Sequence, residues 1–468
     1  MEISRRRFLR QAACAAVGTT SLASTVWNLR AINAATAQAI GSSTEFRSLV
    51  CLFLYGGNDA NNMIVPNDNA TYPAYASARG PLALLQNSLL PLNLITPDSQ
   101  GRTFGLHPSM PELQALFNTD QKLAIMANVG TLIEPTSAGQ YLNGTAKLPP
   151  QLFSHNDQQV EWQTGWPDAP PVTGWGGRLA DLLTSFNNLD TISMSISLAG
   201  TNTFQVGRNV TEYQVSTNGS IGLNGFGGNN GQIRYQAVQD LLNLPHQNLF
   251  EAEFAKITNR SITNNALLSS ALNGVTLNTP FPANSDLSDQ LQMIAKIIAV
   301  RQALGMRRQI FFCSVGGFDT HSNELSTQSD LLAELSQCMN AFYQATKELS
   351  ISDRVTLFTA SDFGRTFQSN GSGADHAWGS HAFVLGDSVK GGDIYGAYPT
   401  LALNGPDDIG EGRWVPTTAV DQYSATLAKW YGISSPTDLA TVLPNIGRFA
   451  TPDVGFMNAL STPPPPGS

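Results

Sequence analysis

Charged side chains are scarce in this chain of 468 residues. Asp, Glu, Lys and Arg together make up 13% of the sequence, whereas about a quarter is usual for soluble proteins. Acidic residues outnumber basic ones, 35 to 26, and the formal net charge is −9. Because phosphate backbones are bound by basic surfaces, this composition argues against a nucleic-acid partner. A polar surface with few charges is what we expect of a protein outside the cytoplasm.

Cysteine is also scarce, with four residues and no C-x-x-C pair. A zinc ribbon or an iron–sulfur site therefore has no support. Cys14 lies in the amino-terminal segment, which leaves Cys51, Cys313 and Cys338. An odd number of cysteines is not a disulfide framework, so we interpret these three as small buried hydrophobic residues.

No apolar run in the sequence is long enough to span a membrane. At the amino terminus, "SRRRFLRQ" (4–11) places paired arginines ahead of a mildly apolar stretch, which indicates a twin-arginine signal peptide over residues 1–39. Ala37 and Ala39 form the A-x-A cleavage site, so the mature chain would begin at about Ile40. We expect the twin-arginine translocase as a partner during export, a periplasmic or secreted product, and no membrane span in the mature chain.

Apolar strand-like runs alternate with helical patterns along the rest of the chain, which is typical of an α/β protein with a parallel sheet. Strands are predicted at 47–57, 122–130, 191–200, 309–315 and 354–362, and helices at 175–186, 232–274, 288–308, 326–350 and 417–432. We assign residues 40–458 to one domain. A Gly/Asn-rich insertion near 216–232 is expected to be a surface loop or lid, and the Pro-rich tail 459–468 is expected to be disordered.

Three predicted strands end within a few residues of an aspartate. "YGGND" leads to Asp59, "VGGFDTH" leads to Asp319, and "TASD" ends in Asp362. Ligands of open parallel sheets bind beyond the carboxyl ends of the strands, and three convergent carboxylates would repel one another unless a cation is present. This pattern predicts a divalent metal site. The structural alternative is that each aspartate caps a helix or braces a turn.

Histidines fall near the same strand ends. Of six in the chain, His321 lies two residues after Asp319, and "GADHAWGSH" contains Asp375, His376 and His381. Asp and His ligands together suit zinc, manganese or iron, and an all-oxygen subset would suit calcium or magnesium. The alternative for each histidine is a structural role in the core.

A nucleophile is suggested by "LFSHNDQQVEW", where Ser154 precedes a helical run. Free backbone amides and the helix dipole at that point favour an alkoxide or a bound anion. Ser154 could equally be an ordinary helix cap, and His155 could point elsewhere or supplement the site. Arg365 could clamp an anionic ester or be a surface arginine.

These motifs, together with "SDFGRT" and "VPTTAVDQYSATLAKWYG", resemble the family called domain of unknown function 1501 over nearly the whole mature chain. That family is similar to the alkaline phosphatase superfamily, so the resemblance implies a three-layer sandwich with a central, largely parallel sheet flanked by helices. It also implies two metals at strand ends and a Ser, Thr or formylglycine nucleophile that attacks phosphate or sulfate esters.

Carried over by position, the resemblance makes Asp59 a first-strand ligand and Ser154 the nucleophile. Asp319 and His321 would bind one metal, Asp362 the other, and His376 or His381 would be the last histidine. Two departures stand out, because Phe363 follows Asp362 where the superfamily has His, and Asp319-Thr320-His321 is shorter than the usual Asp-x-x-x-His. They predict a weak or missing second metal site, and the lack of C-x-P-x-R or S-x-P-x-R argues against a formylglycine sulfatase.

The sequence therefore predicts an exported, metal-dependent hydrolase of phosphate or sulfate esters, acting on a small-molecule or glycan ester with zinc, manganese, calcium or magnesium. The competing hypothesis is a non-catalytic exported binding protein that retains the fold and a structural metal. Fold similarity does not decide between them, because function depends on the site.

Overall fold

The structure is a computed structural model, and it describes residues 45–187, 192–223, 225–226 and 230–458. The predicted signal peptide (1–39) and Pro-rich tail (459–468) lie outside these ranges. Within them the strands are β1 Arg47–Leu54, β2 Ile64–Pro66, β3 Leu90–Leu92, β4 Phe104–Leu106, β5 Leu123–Gly130, β6 Ser195–Ser197, β7 Tyr213–Ser216, β8 Gly219–Ser220, β9 Arg308–Val315, β10 Val355–Ser361, β11 Ser380–Leu385, β12 Ile394–Tyr395 and β13 Thr418–Ala419.

Twelve α-helices accompany these strands in the described ranges. They are α1 Ala60–Met63, α2 Tyr72–Arg79, α3 Pro111–Asn118, α4 Ala138–Leu142, α5 His155–Thr164, α6 Trp175–Leu183, α7 Gly231–Leu242, α8 Leu249–Leu272, α9 Asp286–Ala299, α10 Glu324–Glu348, α11 Val420–Tyr431 and α12 Pro436–Val442.

The large sheet has the strand order β12-β5-β11-β10-β1-β9-β6-β7-β8, with β13 also paired to β5. The central strands β10, β1, β9 and β6 are parallel to one another, and β11 is antiparallel to both β10 and β5. Strands β2, β4 and β3 form a separate small antiparallel sheet. The sheet is thus largely parallel.

The apolar runs in the sequence are continuous because strands such as β1 are buried on both faces. The side chains of β1 alternate between the two faces of the sheet, and both faces are covered. Val50, Leu52 and Leu54 lie in a core with α3, α9 and α10, whereas Leu49, Cys51 and Phe53 lie in a second core with α5, α6, α11 and α12. A central, largely parallel sheet between two helical layers was predicted, and it is confirmed. Cys51, Cys313 and Cys338 are free and buried.

Strands β1 and β5 run parallel in one sheet, with β10 and β11 between them. One local feature differs from the sequence patterns. The segment 216–232 is not loop throughout, because its start belongs to the β7–β8 hairpin and its end begins α7. In the described ranges, no helix combines the length and hydrophobicity that crossing a membrane requires.

Candidate metal centre

Adjacent strands bring the two Gly-Gly-x-Asp phrases together. β1 lies between β10 and β9 in parallel register, so the residues that follow all three strands meet at one edge of the sheet. The chain reverses direction between β10 and β11, which returns residues 362–379 to that same edge. The loops after β1 and β9 also contact directly, since the amide of Phe318 donates to the carbonyl of Tyr55 (3.2 Å).

Glycine is required at the first of these turns. Gly56 has φ +116°, and a Cβ there would collide with the backbone of Phe318 and Asp319. Only glycine combines this backbone conformation with such a close approach. The two strand-end loops can therefore pack side by side, which places Asp319 beside the end of β1.

His155, the first residue of α5, lies over these loops. Its Nδ1 is 2.6 Å from Oδ2 of Asp362, which also accepts from Gln159 Nε2 (2.9 Å) and from the amide of Gly56 (3.2 Å). Asp362 is fully buried. Because a carboxylate accepts, the neutral imidazole carries its proton on Nδ1, and the lone pair of His155 is on Nε2.

The same tautomer follows for two further histidines. His321 Nδ1 lies 3.0 Å from Oδ1 of Asp375, and His376 Nδ1 lies 2.7 Å from the carbonyl oxygen of Phe153. Each of these oxygens accepts the Nδ1–H, so Nε2 of each neutral ring is left as an acceptor. Histidines that bind metals are commonly oriented by such a bond from the other ring nitrogen.

The three Nε2 atoms converge on one carboxylate oxygen. Oδ1 of Asp319 lies 3.4 Å from Nε2 of His155, 3.1 Å from that of His321 and 3.6 Å from that of His376. The Nε2 atoms of His321 and His376 are 2.9 Å apart. His155 Nε2 is buried without a hydrogen-bond partner. Lone pairs and a carboxylate directed at one point form an electron-rich site. The guanidinium of Arg365 contacts it from one side, at Oδ1 of Asp319 (2.5 Å) and Nε2 of His321 (3.4 Å).

Electrostatics keep the carboxylates of this cluster ionised. Burial raises the pKa of Asp319, but the hydrogen bond and charge of Arg365 outweigh it, so the pKa is lowered overall. Burial likewise opposes ionisation of Asp375, and the hydrogen bond with His321 lowers its pKa below the usual value. Burial lowers the pKa of His376. The side chains of Asp319 and His321 are 51% and 44% exposed, so one side of the cluster is open to solvent.

These residues pass a simple test for a metal centre. Three imidazole nitrogens and one carboxylate are a donor set that suits zinc and related transition metals. The unpartnered Nε2 of His155 gives that ion a specific place to bind. His155, Asp319 and His376 have their ligand atoms within 4.8 Å of one another, and His321 adds a fourth donor through its Nε2 contacts.

Arg365 lies beneath the cluster rather than beside open solvent. It is fully buried, and its guanidinium donates to the carbonyls of Gly56, Gly57 (2.8 Å), Phe318 (3.1 Å) and Ala374 (3.0 Å) and to Oδ1 of Asp319 (2.5 Å). This arginine therefore ties three loops together and holds Asp319. It is not presented to an anionic ester in this arrangement.

Ser154 is the N-cap residue of α5, between Phe153, which accepts from His376, and His155. Its hydroxyl donates to Oδ2 of Asp157 at 2.6 Å and makes no cap bond to the backbone. The structure thus places Ser154 next to two residues of the cluster, with a carboxylate positioned to accept its proton.

Asp59 has a different environment from Asp319. Its carboxylate pairs with Arg79, accepts the amide of Asn61 (3.0 Å) and caps α1. Arg79 also pairs with Glu324 at 2.7 Å, and all three side chains are fully buried. Burial raises the pKa of Asp59, but the charge of Arg79 overcomes this and lowers it. Asp59 is therefore not among the groups that surround the Nε2 atoms.

His381 also lies apart from the cluster. It is the second residue of β11, its Nδ1 accepts the amide of Asn128 (2.9 Å), and its ring stacks on Tyr398. Burial lowers its pKa to about 4, so the ring is neutral at physiological pH. Between the two candidates for the last histidine, the structure brings His376 to the centre and leaves His381 in the core.

Sequence reasoning did not select His155, Arg79 or Glu324. His155 had a usable signal, because it follows the nucleophile candidate and begins a helix in a chain with six histidines. Arg79 ends α2 and Glu324 begins α10. Nothing in their local sequence indicates that they meet Asp59, since that contact depends on how the helices pack.

The solved structures that match this chain include those of three bacterial proteins. A protein in the alkaline phosphatase superfamily from Vibrio parahaemolyticus has a TM-score of 0.36 and 12% identity, over 84% of this chain and 68% of that one. The C-terminal periplasmic domain of EcEptC from Escherichia coli has a TM-score of 0.34 and 12% identity, over 86% and 88%. PsFucS1 sulfatase from Pseudoalteromonas sp. has a TM-score of 0.32 and 10% identity, over 80% of this chain and 69% of that one. Similarity at this level does not extend to function.

Sequence comparison gives a more direct assignment. No curated protein matches the chain. Residues 46–410 match the family described as "Protein of unknown function (DUF1501)". This range contains both Gly-Gly-x-Asp loops and every residue of the candidate metal centre. The chain belongs to the DUF1501 family.

Proposed function

We propose that this protein is an exported, metal-dependent hydrolase of phosphate or sulfate esters. The observation that carries the proposal is the convergence of three histidine Nε2 atoms on Asp319, each ring held by an Nδ1 hydrogen bond to Asp362, Asp375 or Phe153. His155, His321, His376 and Asp319 would hold one divalent cation. Asp362 and Asp375 would orient the histidines rather than bind the ion.

The donor set narrows the choice of metal. Imidazole nitrogens suit zinc, manganese or iron, whereas calcium and magnesium prefer sites built from oxygen ligands. Three nitrogens and one carboxylate therefore favour zinc or manganese over calcium and magnesium. When bound, such a cation polarises an ester oxygen and stabilises the negative charge that develops during transfer.

Ser154 is the proposed nucleophile. Its Oγ would attack the phosphorus or sulfur of the ester while Asp157, at 2.6 Å, accepts the hydroxyl proton. As the Ser154 ester forms, the bond to the alcohol oxygen breaks and that oxygen takes up the proton from Asp157. Water then hydrolyses the Ser154 ester, which releases phosphate or sulfate and restores the serine. The open side of the cluster, at Asp319 and His321, is where a small-molecule or glycan ester would enter.

The position of Arg365 favours a second candidate function. In this alternative the protein is an exported binding protein that holds a structural metal and catalyses no reaction. A guanidinium can bind an ester anion, but the N–H groups of Arg365 already donate to four carbonyl oxygens and to Asp319. The cation would then have to offset the ester charge without help from this arginine. The two functions share a metal and differ in turnover.

Metal content tests the centre itself. The mature chain, purified from the exported fraction, should contain about one zinc or manganese ion per chain by elemental mass spectrometry. His155→Ala and His376→Ala should each lose most of it, because each removes one converging Nε2 atom. His246→Ala is the matched control, since His246 lies in the α7–α8 connection and pairs only weakly with Glu251 (3.9 Å). Metal-free wild-type protein would refute the centre.

Turnover distinguishes the two functions. The metal-loaded chain should hydrolyse members of a panel of phosphate and sulfate esters, and Ser154→Ala should reduce kcat by at least about 100-fold while the metal content stays unchanged. A metal-bound protein that binds esters without turnover would support the binding function instead. Full activity in Ser154→Ala would overturn the assignment of the nucleophile.

A further inference from the structure

Helices α7 and α8 carry an unusual concentration of exposed apolar side chains. They pack against each other and are joined by residues 243–248. Most of the exposed large hydrophobic residues in the described ranges lie within 221–257, and Phe250 at 85%, Leu249 at 79% and Phe254 at 68% are among the most exposed. Isolated exposed hydrophobic residues are ordinary, whereas a contiguous group indicates an interaction surface.

The exposed group continues a seam that is buried further along the same helix. Residues of α8 alternate at spacings of four and three, the pattern of a coiled-coil a/d seam. The seam consists of Phe250, Phe254, Ile257, Ser261, Asn264 and Leu268. Its carboxyl-terminal end packs on the domain, where Leu268 is in the main core and Asn265 hydrogen-bonds Ser220 of β8. Its amino-terminal half extends beyond this support and is uncovered.

Charges beside the seam suit a second copy of the same helix. Glu253 and Arg260 are exposed and seven residues apart, so they occupy the same heptad position on one flank of the seam. In an antiparallel pair of helices, that flank of one copy faces the same flank of the other. Glu253 of each copy then lies opposite Arg260 of its partner, while Phe254 lies near Ile257. A parallel pair would not bring these opposite charges together.

The charge of the helix pair also favours protein over lipid. Residues 231–272 contain three basic and three acidic residues, whereas the whole chain carries −9. Helices that bind anionic membranes are rich in Lys and Arg beside their apolar face. Here Glu251 and Glu253 lie next to the apolar end of α8, which disfavours an anionic lipid surface. A region of zero net charge on an acidic protein is where self-association meets the least repulsion.

We infer that the amino-terminal half of α8 is a dimerisation surface on which a second copy of this chain docks antiparallel, with Phe250, Phe254 and Ile257 at the contact and Glu253 paired to Arg260 of the partner copy. The surface is separate from the metal centre and does not depend on the proposed hydrolase function.

The oligomeric state of the mature chain tests this inference. Light scattering coupled to size-exclusion chromatography should show a dimer at high protein concentration. Phe254→Glu combined with Ile257→Glu should give a monomer with unchanged circular dichroism, because both residues are exposed. Leu85→Glu is the matched control, since Leu85 is 70% exposed outside the helix pair, and it should remain dimeric.

Charge reversal tests the antiparallel register. Glu253→Arg alone and Arg260→Glu alone should each weaken the dimer, because each places like charges opposite one another. The double variant Glu253→Arg/Arg260→Glu restores the pairing and should recover the wild-type dimerisation constant. A monomeric wild type, or a double variant weaker than both single variants, would overturn the inference. Co-sedimentation of monomeric wild type with lipid vesicles, lost in Phe254→Glu, would replace it with a membrane surface.

Discussion

Asp59 and Asp319 follow equivalent Gly-Gly turns at adjacent strand ends, yet their environments are opposite. Asp59 is fully buried, and a fixed guanidinium, that of Arg79, neutralises it. Asp319 is half exposed, and although Arg365 holds it from below, three imidazole lone pairs meet it from above. The charge of Asp59 is thus neutralised within the protein. Asp319 instead lies among imidazole nitrogens whose lone pairs could bind a cation.

This difference shows that a repeated motif marks a shared position in the fold rather than a shared role. Both turns are needed to bring two loops together at the sheet edge, and glycine at position 56 permits that approach. What each aspartate does is then decided by the helices above it. Helices α2 and α10 deliver a cation and a carboxyl group to Asp59, and α5 delivers His155 toward Asp319.

The largest expected effect is at Arg79. Arg79→Met should destabilise the protein by about 3–5 kcal/mol, because it leaves the buried charge of Asp59 without its partner. Urea unfolding of the mature chain would measure this. Arg448→Met is the matched control, since Arg448 pairs with Asp168 at the surface (2.8 Å), and its loss should cost at most about 1 kcal/mol. Equal stability of the two variants would show that Asp59 does not depend on Arg79.

A smaller effect is expected in the solvent-exposed cluster around Asp319, at Asp375. Asp375→Ala should weaken zinc binding by about 10–100-fold, because the carboxylate that orients His321 is lost while the metal-binding atoms remain. Titration against a competing chelator would measure the change. The side chain of Asp375 is half exposed, at 48%, so the free energy of unfolding should change little. Asp353→Ala, an exposed carboxylate paired with Arg354, should bind zinc as the wild type does.

Much of the architecture was predictable from the sequence, because parallel strands buried on both faces leave long apolar runs. The strands ending near Asp59, Asp319 and Asp362 follow this rule, and so does the prediction that their loops share one edge. The order of the strands in the sheet does not follow from these patterns, since β10 and β11 lie between β1 and β5 although both come later in the chain.

The centre itself was less predictable. Residues after a strand end are confined to the edge, but which carboxylate faces which imidazole depends on side-chain packing. Asp362 lies where the pattern indicates, and only the position of His155 shows that it accepts an Nδ1–H. The pairing of Asp59 with Arg79 joins α1 to α2, and the local sequence of neither helix predicts this contact.

The most specific effect concerns the proton held beside Asp59. Burial, reinforced by the charge of Asp59, raises the pKa of Glu324 to about 9 despite Arg79. The native protein therefore holds this proton at pH values where the unfolded chain has released it, so stability is greatest at low pH and declines as pH rises toward 9, by at most about 1.4 kcal/mol per pH unit. Glu324→Gln mimics the protonated carboxyl and should reduce this decline in unfolding measurements between pH 5 and 9 to the part that Glu161 and Asp421 contribute, since burial raises the pKa of each to about 8. Glu134→Gln, at an exposed ion pair with Lys147, should retain the full decline. A Glu324→Gln variant whose stability declines as steeply as that of the wild type would mean that Glu324 is ionised in the native protein and that two carboxylates share Arg79.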